Sequence, residues 1–271
     1  MKRLVLFGFP VLLALVAGGC GTTRSAVPPA AEPDPLLDVF LLIGQSNMAG
    51  RGTVEDPDRQ TTPGVYALTA DGEWALARDP LHFDKPRVAG VGPGLAFGKA
   101  MRAARPGRRV GLVPGAVGGT SITRWVPGGY DDVTDTHPYD DAVARAHAVL
   151  DEQGVRLAGV LWHQGESDSG QMSVDEYGTR LAELVGRLRA EFGDPALPFV
   201  AARLAPSYVA GHAGAATVNA AIDRLVRLPA TAVVTTEGLV DGGDGTHLDA
   251  ASARELGRRY AAAMRRLLAE S

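Results

Sequence analysis

The sequence predicts a single α/β domain in which helices cover both faces of a largely parallel β-sheet. Short apolar runs of strand length alternate along the chain with longer segments of helical periodicity. The 271 residues suit one domain of generous size behind a leader, and with 45% hydrophobic residues the chain can bury a substantial core. The sequence contains no internal repeat and no evident second domain.

Five apolar runs predict the strands of the central sheet. They are bounded by glycine, proline or polar residues, as expected of strands that are buried on both faces. The runs cover residues 38–43, 109–113, 157–162, 199–204 and 231–235. Two shorter runs, 65–69 and 74–77, flank Ala70-Asp71-Gly72-Glu73 and predict a small hairpin.

Helical periodicity occupies the segments between these strands. Pro93 suits the first turn of a helix at 93–104. The stretch Ser173-Val174-Asp175-Glu176 has the pattern of a capping box and precedes an amphipathic segment. The remaining predicted helices cover residues 139–150, residues 217–228 and a C-terminal segment that starts near Asp249.

The N-terminus has the composition of an export signal. Lys2 and Arg3 precede an apolar run, residues 4–17, that is too short for a comfortable transmembrane helix. The small residues Ala17-Gly18-Gly19 and the following Cys20 resemble the lipobox of bacterial lipoproteins. This resemblance implies cleavage before Cys20 and lipidation of its thiol. The alternative is an ordinary secretory signal with an incidental cysteine.

These features predict three segments and an exported protein held at the cell envelope. The segments are a signal peptide at 1–19, the lipidated Cys20 with a proline-rich tether at 20–36, and a folded domain at 37–271. We expect membrane contact only through the lipid on Cys20, the single cysteine, so the mature chain can form no internal disulfide. The net charge of −4, without a basic stripe, makes nucleic acid an unexpected partner.

Polar residues follow four of the five predicted core strands in a chemically suggestive way. In open parallel sheets, ligand sites lie at the carboxyl ends of the strands. Ser46 follows the first strand, Gly118-Gly119-Thr120 the second, His163-Gln164-Gly165-Glu166 the third and Asp244-Gly245-Thr246-His247 the fifth. We therefore expect these stretches to converge.

The residue types suit nucleophilic catalysis. A serine hydroxyl needs a base, normally histidine, within hydrogen-bond reach. The spacing of Asp244 and His247 allows the carboxylate to bond the imidazole Nδ1 and to leave Nε2 for the Ser46 proton. Glu166 is an alternative orienting acid. Taken singly, Ser46 could simply cap a helix, and Asp244 could simply form a turn.

The glycine-rich stretch and Gln164 suit the stabilisation of an oxyanion. The backbone N–H groups of Gly118 and Gly119, and the Gln164 side-chain amide, are suitable donors. A phosphate cradle is less consistent, because the stretch lacks the Gly-Lys-Ser/Thr ending of a P-loop. A metal site of His163, Glu166, Asp244 and His247 is conceivable, but no pair has the helical spacing of a known zinc motif. We expect no metal and no organic cofactor.

Together the blocks Gly44-Gln45-Ser46-Asn47-Met48, Gly118-Gly119-Thr120-Ser121, Trp162 to Asp168 and Asp244 to Leu248 carry a family resemblance. The chain resembles the SGNH hydrolase superfamily, and within it the sialate O-acetylesterase-like branch that includes the acetylxylan esterases of carbohydrate esterase family 6. The resemblance runs from about residue 38 to the C-terminus. It implies a three-layer α/β/α, flavodoxin-like fold on a mostly parallel five-stranded sheet, and hydrolysis of O-acetyl esters on carbohydrate.

The resemblance also implies roles for individual residues. Ser46 would be the nucleophile, His247 the base and Asp244 its acid partner. The oxyanion hole would combine the Ser46 N–H, a backbone N–H of Gly118 or Gly119, and Gln164. Gln164 stands where the superfamily usually has asparagine, as is typical of this branch, and the role of Glu166 stays open because members differ at that point.

The expected partner is an acetylated carbohydrate. The residues expected to contact it are Gln45, Asn47, Thr120, Arg124, Trp125 and His163. Trp125, with Arg124, could form a sugar-stacking wall, or Trp125 could simply pack against the domain. Two alternatives to the esterase are a non-catalytic carbohydrate-binding module and an esterase for other short-chain esters. The loops 51–63 and 127–138 are too polar for a lipid-binding lid.

Overall fold

Seven strands form one sheet in the computed structural model, which describes residues 36–270. The strands are β1 (Leu37–Gly44), β2 (Val65–Leu68), β3 (Trp74–Leu76), β4 (Arg109–Pro114), β5 (Val155–His163), β6 (Phe199–Ala202) and β7 (Thr231–Val234). Their order is β3-β2-β4-β1-β5-β6-β7. Neighbours are parallel except β2 and β3, which are antiparallel.

Eight α-helices lie within the same part of the chain. They are α1 (Ser46–Ala49), α2 (Asp56–Arg59), α3 (Pro93–Ala104), α4 (Pro138–Leu150), α5 (Val174–Glu191), α6 (Pro206–Gly211), α7 (Ala215–Asp223) and α8 (Ala250–Glu270). Short 3₁₀-helices cover Ile122–Arg124, Glu166–Asp168 and Arg224–Arg227. The capping box that precedes α5 is present, with reciprocal hydrogen bonds between Ser173 and Glu176.

Helices cover both faces of the sheet, and β5 shows this directly. A Cβ at Gly159 would meet the Met264 side chain of α8. Trp162 lies three positions further along the strand and therefore on the opposite face, where its indole N–H donates to Tyr177 of α5. The predicted three-layer α/β fold is confirmed.

The predicted number of five strands is wrong in detail, because the hairpin is part of the sheet. β2 pairs in parallel with β4 through Val65, Tyr66 and Ala67, and β3 then forms one edge. The runs that make this hairpin are short, and β3 is only partly buried. Their sequence alone gave no reason to join them to the core strands.

The position of β1 determines where the site forms. All eight of its residues are buried, and it lies between β4 and β5 at the centre of the sheet. It ends at Gly44, whose φ of +127° favours glycine and where a Cβ would overlap the His163 carbonyl. The chain turns there and presents Ser46 at the carboxyl edge of the sheet.

The predicted signal peptide, the lipidated Cys20 and the tether fall outside the residues described, so those predictions stay predictions. Within residues 36–270, no helix combines the length and apolar character needed to cross a membrane.

Candidate active site

Ser46, His247 and Asp244 form a continuous series of hydrogen bonds. His247 Nε2 lies 3.0 Å from Ser46 Oγ, and His247 Nδ1 lies 2.7 Å from Asp244 Oδ2. Because a carboxylate only accepts, Nδ1 carries the ring proton and Nε2 is the acceptor that faces the serine hydroxyl. This geometry can transfer the Ser46 proton to His247.

A compact loop, residues 241–247, holds the imidazole in place. Asp244 Oδ1 accepts the backbone N–H groups of Thr246 and His247, each at 2.8 Å. Asp241 Oδ1 accepts those of Gly243 and Gly245. Burial alone would raise the pKa of Asp244, but the bonds from the His247 backbone and imidazole and from the Thr246 backbone lower it to about 2. The Asp244 carboxylate is therefore ionised at any pH well above its pKa of about 2.

Asn47 connects this loop to the interior instead of facing a substrate. Its Nδ2 donates to Glu166 Oε1 at 2.6 Å and to the Thr246 carbonyl at 3.0 Å, and its Oδ1 accepts the Leu248 N–H at 2.9 Å. Both amide hydrogens and the carbonyl are thus occupied, and the residue is only 3% exposed. The prediction that Asn47 binds substrate is wrong in this geometry.

Glu166 lies beside the site but not on the imidazole. One carboxylate oxygen accepts Asn47 Nδ2, and the other, Oε2, is buried without a hydrogen-bond partner among residues 36–270. Of the two acids considered from the sequence, Asp244 is the one that bonds His247.

Two residues that line the cleft, Ser46 and Gly119, have backbone N–H groups that could bond an oxyanion. Ser46 starts α1, where the first N–H groups lack intrahelical acceptors. Within the described chain neither the Ser46 N–H nor the Gly119 N–H is hydrogen-bonded to a protein acceptor. Ser46 lies in the turn after β1 and Gly119 in the loop after β4, and these two segments meet at this edge of the sheet. The prediction for these two donors stays open to test.

The Gly118 N–H, in contrast, is already used. It donates to Asp84 Oδ2 at 2.9 Å, and that carboxylate pairs with Arg51 at 2.6 Å. Burial would raise the pKa of Asp84, but the Arg51 guanidinium lowers it, so the carboxylate is ionised. A Cβ at position 118 would lie 2.5 Å from Arg51 Nη2, so a larger residue there would require the guanidinium to shift beside Asp84. The expected oxyanion role therefore fits Gly119 and not Gly118.

Gln164 is fully buried in a polar network and cannot reach the cleft. Its Nε2 donates to Asp168 Oδ2 at 2.6 Å and to the Thr120 carbonyl at 3.0 Å, with Gln45 Oε1 at 3.2 Å. Its Oε1 accepts the Tyr177 hydroxyl at 2.8 Å. The predicted contribution of Gln164 to the oxyanion hole is wrong in this structure, because protein acceptors occupy its amide hydrogens.

Three other residues expected to bind substrate are also interior. Trp125 is fully buried, donates its indole N–H to Thr120 Oγ1 at 3.1 Å and packs edge-on against Trp162. Thr120 in turn donates to the Val117 carbonyl. His163 is completely buried at the end of β5, where burial lowers the pKa of its imidazole. Packing, the alternative considered for Trp125, is what the structure shows.

Arg124 and Gln45 complete the predicted set. Arg124 is exposed and does not line the cleft. Gln45 does line it, but its side-chain oxygen accepts Gln164 Nε2 and the Ser167 N–H. Gln45 therefore connects the cleft wall to the buried network.

The cleft above Ser46 measures about 750 Å³. Its lining includes four residues that the sequence did not indicate: Arg51, Lys85, Tyr208 and His212. Tyr208 and His212 follow β6, the one core strand whose carboxyl end carries no residue of the predicted site. The rule that ligand sites lie at the carboxyl ends of parallel strands therefore points to both residues. No comparable signal pointed to Arg51 or Lys85.

The metal alternative finds no support in the geometry. Between residues 36 and 270, no three His, Cys, Asp or Glu side chains form a group that could hold a metal ion. The two ring nitrogens of His247, one of the four residues considered, face Asp244 and Ser46.

Comparisons with known proteins agree with the motif-based resemblance. A probable carbohydrate esterase of Arabidopsis thaliana is 35% identical over 207 residues, which are 69% of this chain and 76% of the relative. The crystal structure of that Arabidopsis protein has a TM-score of 0.75 and 32% identity, and covers 86% of this chain and 99% of its own.

Two further structures share the fold at low identity. XAC1771, a carbohydrate acetylesterase from Xanthomonas citri, has a TM-score of 0.66 and 24% identity over 86% of this chain and 57% of its own. NanS has a TM-score of 0.69 and 17% identity, with 88% and 99% coverage. The family model described as carbohydrate esterase, sialic acid-specific acetylesterase, matches residues 36–266. The chain therefore belongs to this carbohydrate esterase family, as its four motifs predicted.

Proposed function

We propose that the protein removes O-acetyl groups from carbohydrate with Ser46 as nucleophile, His247 as general base and Asp244 as the orienting acid. The observation that carries the proposal is the hydrogen-bonded series from Ser46 Oγ to Asp244 at the floor of an open cleft. Membership of a carbohydrate esterase family supports the same chemistry.

The reaction would run in two halves. Ser46 Oγ bonds to the acetyl carbon while His247 Nε2 takes the hydroxyl proton. The tetrahedral intermediate collapses, the bond to the sugar oxygen breaks, and His247 returns its proton to that oxygen. Water then attacks the acetyl-serine with His247 again as base, which releases acetate and restores Ser46.

The oxyanion of each tetrahedral intermediate would accept the Ser46 and Gly119 N–H groups. Each donor is worth on the order of a hundred- to a thousandfold in rate when it is aimed at the developing charge. The Asp84–Arg51 pair would keep the loop in place by holding the neighbouring Gly118 N–H. Asp84 therefore orients the Gly119 donor without contacting the substrate.

Acetate release from acetylated xylan and from O-acetylated sialic acid, by the wild type and a Ser46→Ala variant, tests the proposal. We expect release from at least one substrate and its loss, by several orders of magnitude, in Ser46→Ala at unchanged melting temperature. Retained activity would remove Ser46 as nucleophile. Binding of the carbohydrate without any acetate release would favour a binding module, and release only from non-carbohydrate acetates would favour another short-chain esterase.

We further propose that the enzyme is exported and anchored at the cell envelope through lipid on Cys20, with no other membrane contact. The lipobox-like sequence supports this proposal. Cys20→Ser should release the protein from the membrane fraction, and a variant that stays anchored would contradict lipidation.

A further inference from the structure

One wall of the cleft is formed by two stacked rings. The imidazole of His212 lies on the ring of Tyr208 with a centroid separation of 3.9 Å and an interplanar angle of 9°. Both side chains line the cleft that contains Ser46 and His247. Tyr208 is 7% exposed, whereas His212 is exposed. Tyr208 therefore supports the histidine, and His212 presents the accessible surface.

Hydrogen bonds fix this pair in one orientation. The Tyr208 hydroxyl donates to the Glu166 carbonyl at 2.8 Å, which ties α6 to the segment after β5. His212 Nδ1 lies 3.0 Å from the Tyr208 carbonyl. A carbonyl can only accept, so Nδ1 carries the proton, and Nε2 of the neutral ring is an acceptor without a protein partner in the described chain.

The other aromatic side chains are unsuited to the same role. Trp125 is fully buried. Phe83 lies under the Arg145 guanidinium, 4.5 Å from its ring centroid, and Tyr130 bonds Asp135; neither lines the cleft. Apart from His247, the rings that border the cleft within residues 36–270 are those of Tyr208 and His212.

A flat ring with one free acceptor matches the chemistry of a sugar ring. A pyranose presents C–H groups on its faces and hydroxyl donors around its edge. The C–H face can pack on an aromatic plane while an edge hydroxyl donates to a nearby acceptor. We propose that the Tyr208–His212 pair is the surface that binds the sugar ring carrying the ester. This inference rests on the proposed function and specifies its leaving-group site.

The test compares two esters with the same acetyl group. In acetylated xylo-oligosaccharide the leaving group is a sugar, whereas in ethyl acetate the leaving group is ethanol, which has no ring. His212→Ala should lower the ratio of kcat/KM for the oligosaccharide to that for ethyl acetate by about tenfold, mainly through KM. His212→Phe, which keeps the flat face, should recover part of the loss. An unchanged ratio in His212→Ala would overturn the inference.

His147→Ala is the matched control. His147 is also exposed and also lies against an aromatic ring, that of Phe192, but it is not part of the cleft. We expect it to leave the ratio unchanged. An equal fall of the ratio in His147→Ala would mean that the effect is general to the fold, and this too would overturn the inference.

A binding measurement separates the inference from the proposed function. Wild type that releases no acetate from any carbohydrate would refute the proposed function. Calorimetry of deacetylated xylo-oligosaccharide with Ser46→Ala, alone and combined with His212→Ala, then still tests the surface. Affinity that falls about tenfold on removal of His212 supports the inference. No binding, or binding that does not depend on His212, overturns it.

Discussion

The loop that carries His247 and the interior around Gln164 lie at the same edge of the sheet but are built in opposite ways. Asp244 contacts a residue three positions away, with 54% of its side chain exposed. Gln164 is fully buried and bonds to residues up to 119 positions away. The first arrangement is local and can be changed with little effect on the fold. The second holds together the segments after β1, β4 and β5. Mutations can therefore change catalysis and folding stability separately.

The largest expected effect is the loss of kcat on mutation of the exposed loop that carries His247. Asp244→Asn should reduce kcat by about three to four orders of magnitude, because the amide no longer fixes the His247 tautomer or stabilises its charged form. The melting temperature should hardly change, since the side chain is largely exposed. Steady-state kinetics and thermal unfolding measure the two quantities.

Glu166→Gln is the matched control for that experiment. It also neutralises an acid beside the site, but the new side chain can still accept the Asn47 amide, so we expect about a tenfold loss or less. If Glu166→Gln were the more severe change, Glu166 and not Asp244 would be the orienting acid.

Mutation of the buried network around Gln164 should instead lower the free energy of unfolding. Gln164→Met preserves approximate size but deprives Tyr177, Asp168 and the Thr120 carbonyl of their partner, and should cost about 2–4 kcal/mol of unfolding free energy. Urea denaturation measures this cost. Gln171→Met, at an exposed glutamine, should be nearly neutral. Full stability of Gln164→Met with a large loss of kcat would restore Gln164 to the oxyanion hole.

Asn47 joins the two regions and should show a mixed effect. Asn47→Ala releases Leu248 and Thr246, so the imidazole is less well placed, and we expect kcat to fall on the order of tenfold with about 1–2 kcal/mol of destabilisation. The low-field NMR resonance of the His247 Nδ1 proton should broaden.

Asn219→Ala provides the comparison for Asn47, because it also removes an acceptor from a backbone N–H, that of Leu204. It should lower stability without altering the His247 resonance. An unaltered resonance in Asn47→Ala would mean that Asn47 does not position the base.

The smallest expected effect concerns pH and stability. The pKa of Asp244 is about 2 when folded and about 3.9 in a free chain, so its contribution to stability is complete above pH 4 and is lost as the pH falls toward 2. The effect should be slight for a carboxylate this exposed. The difference in melting temperature between wild type and Asp244→Asn should therefore narrow only below about pH 4. A difference that changed mainly above pH 5 would assign the linkage to another group.

The sequence was sufficient for the parts of the molecule whose signals are local. The five core strands, the cap at Ser173 and the pairing of Asp244 with His247 depend on periodicity or on residues a few positions apart. The hairpin at β2 and β3 depends on pairing across the sheet, which short partly buried runs do not reveal. The roles given to Gln164, Asn47, Thr120 and Trp125 failed for a related reason. A polar or aromatic residue in a motif can serve a cleft or an interior network, and only the side-chain direction separates the two.

Because the hydrogen bonds of loop 241–247 are mostly within the loop itself, we expect the loop to open at a lower temperature than the sheet unfolds. Asn47 bonds to Thr246 and Leu248, and Ser46 contacts His247. Most other hydrogen bonds of the loop are internal, including that from the Gly242 N–H to the His247 carbonyl. Segments held by so few contacts open by local fluctuations that cost less than global unfolding. The backbone amides of Thr246 and His247 should therefore exchange with deuterium faster than those of β1. On warming, catalysis should fade reversibly while the sheet is still folded.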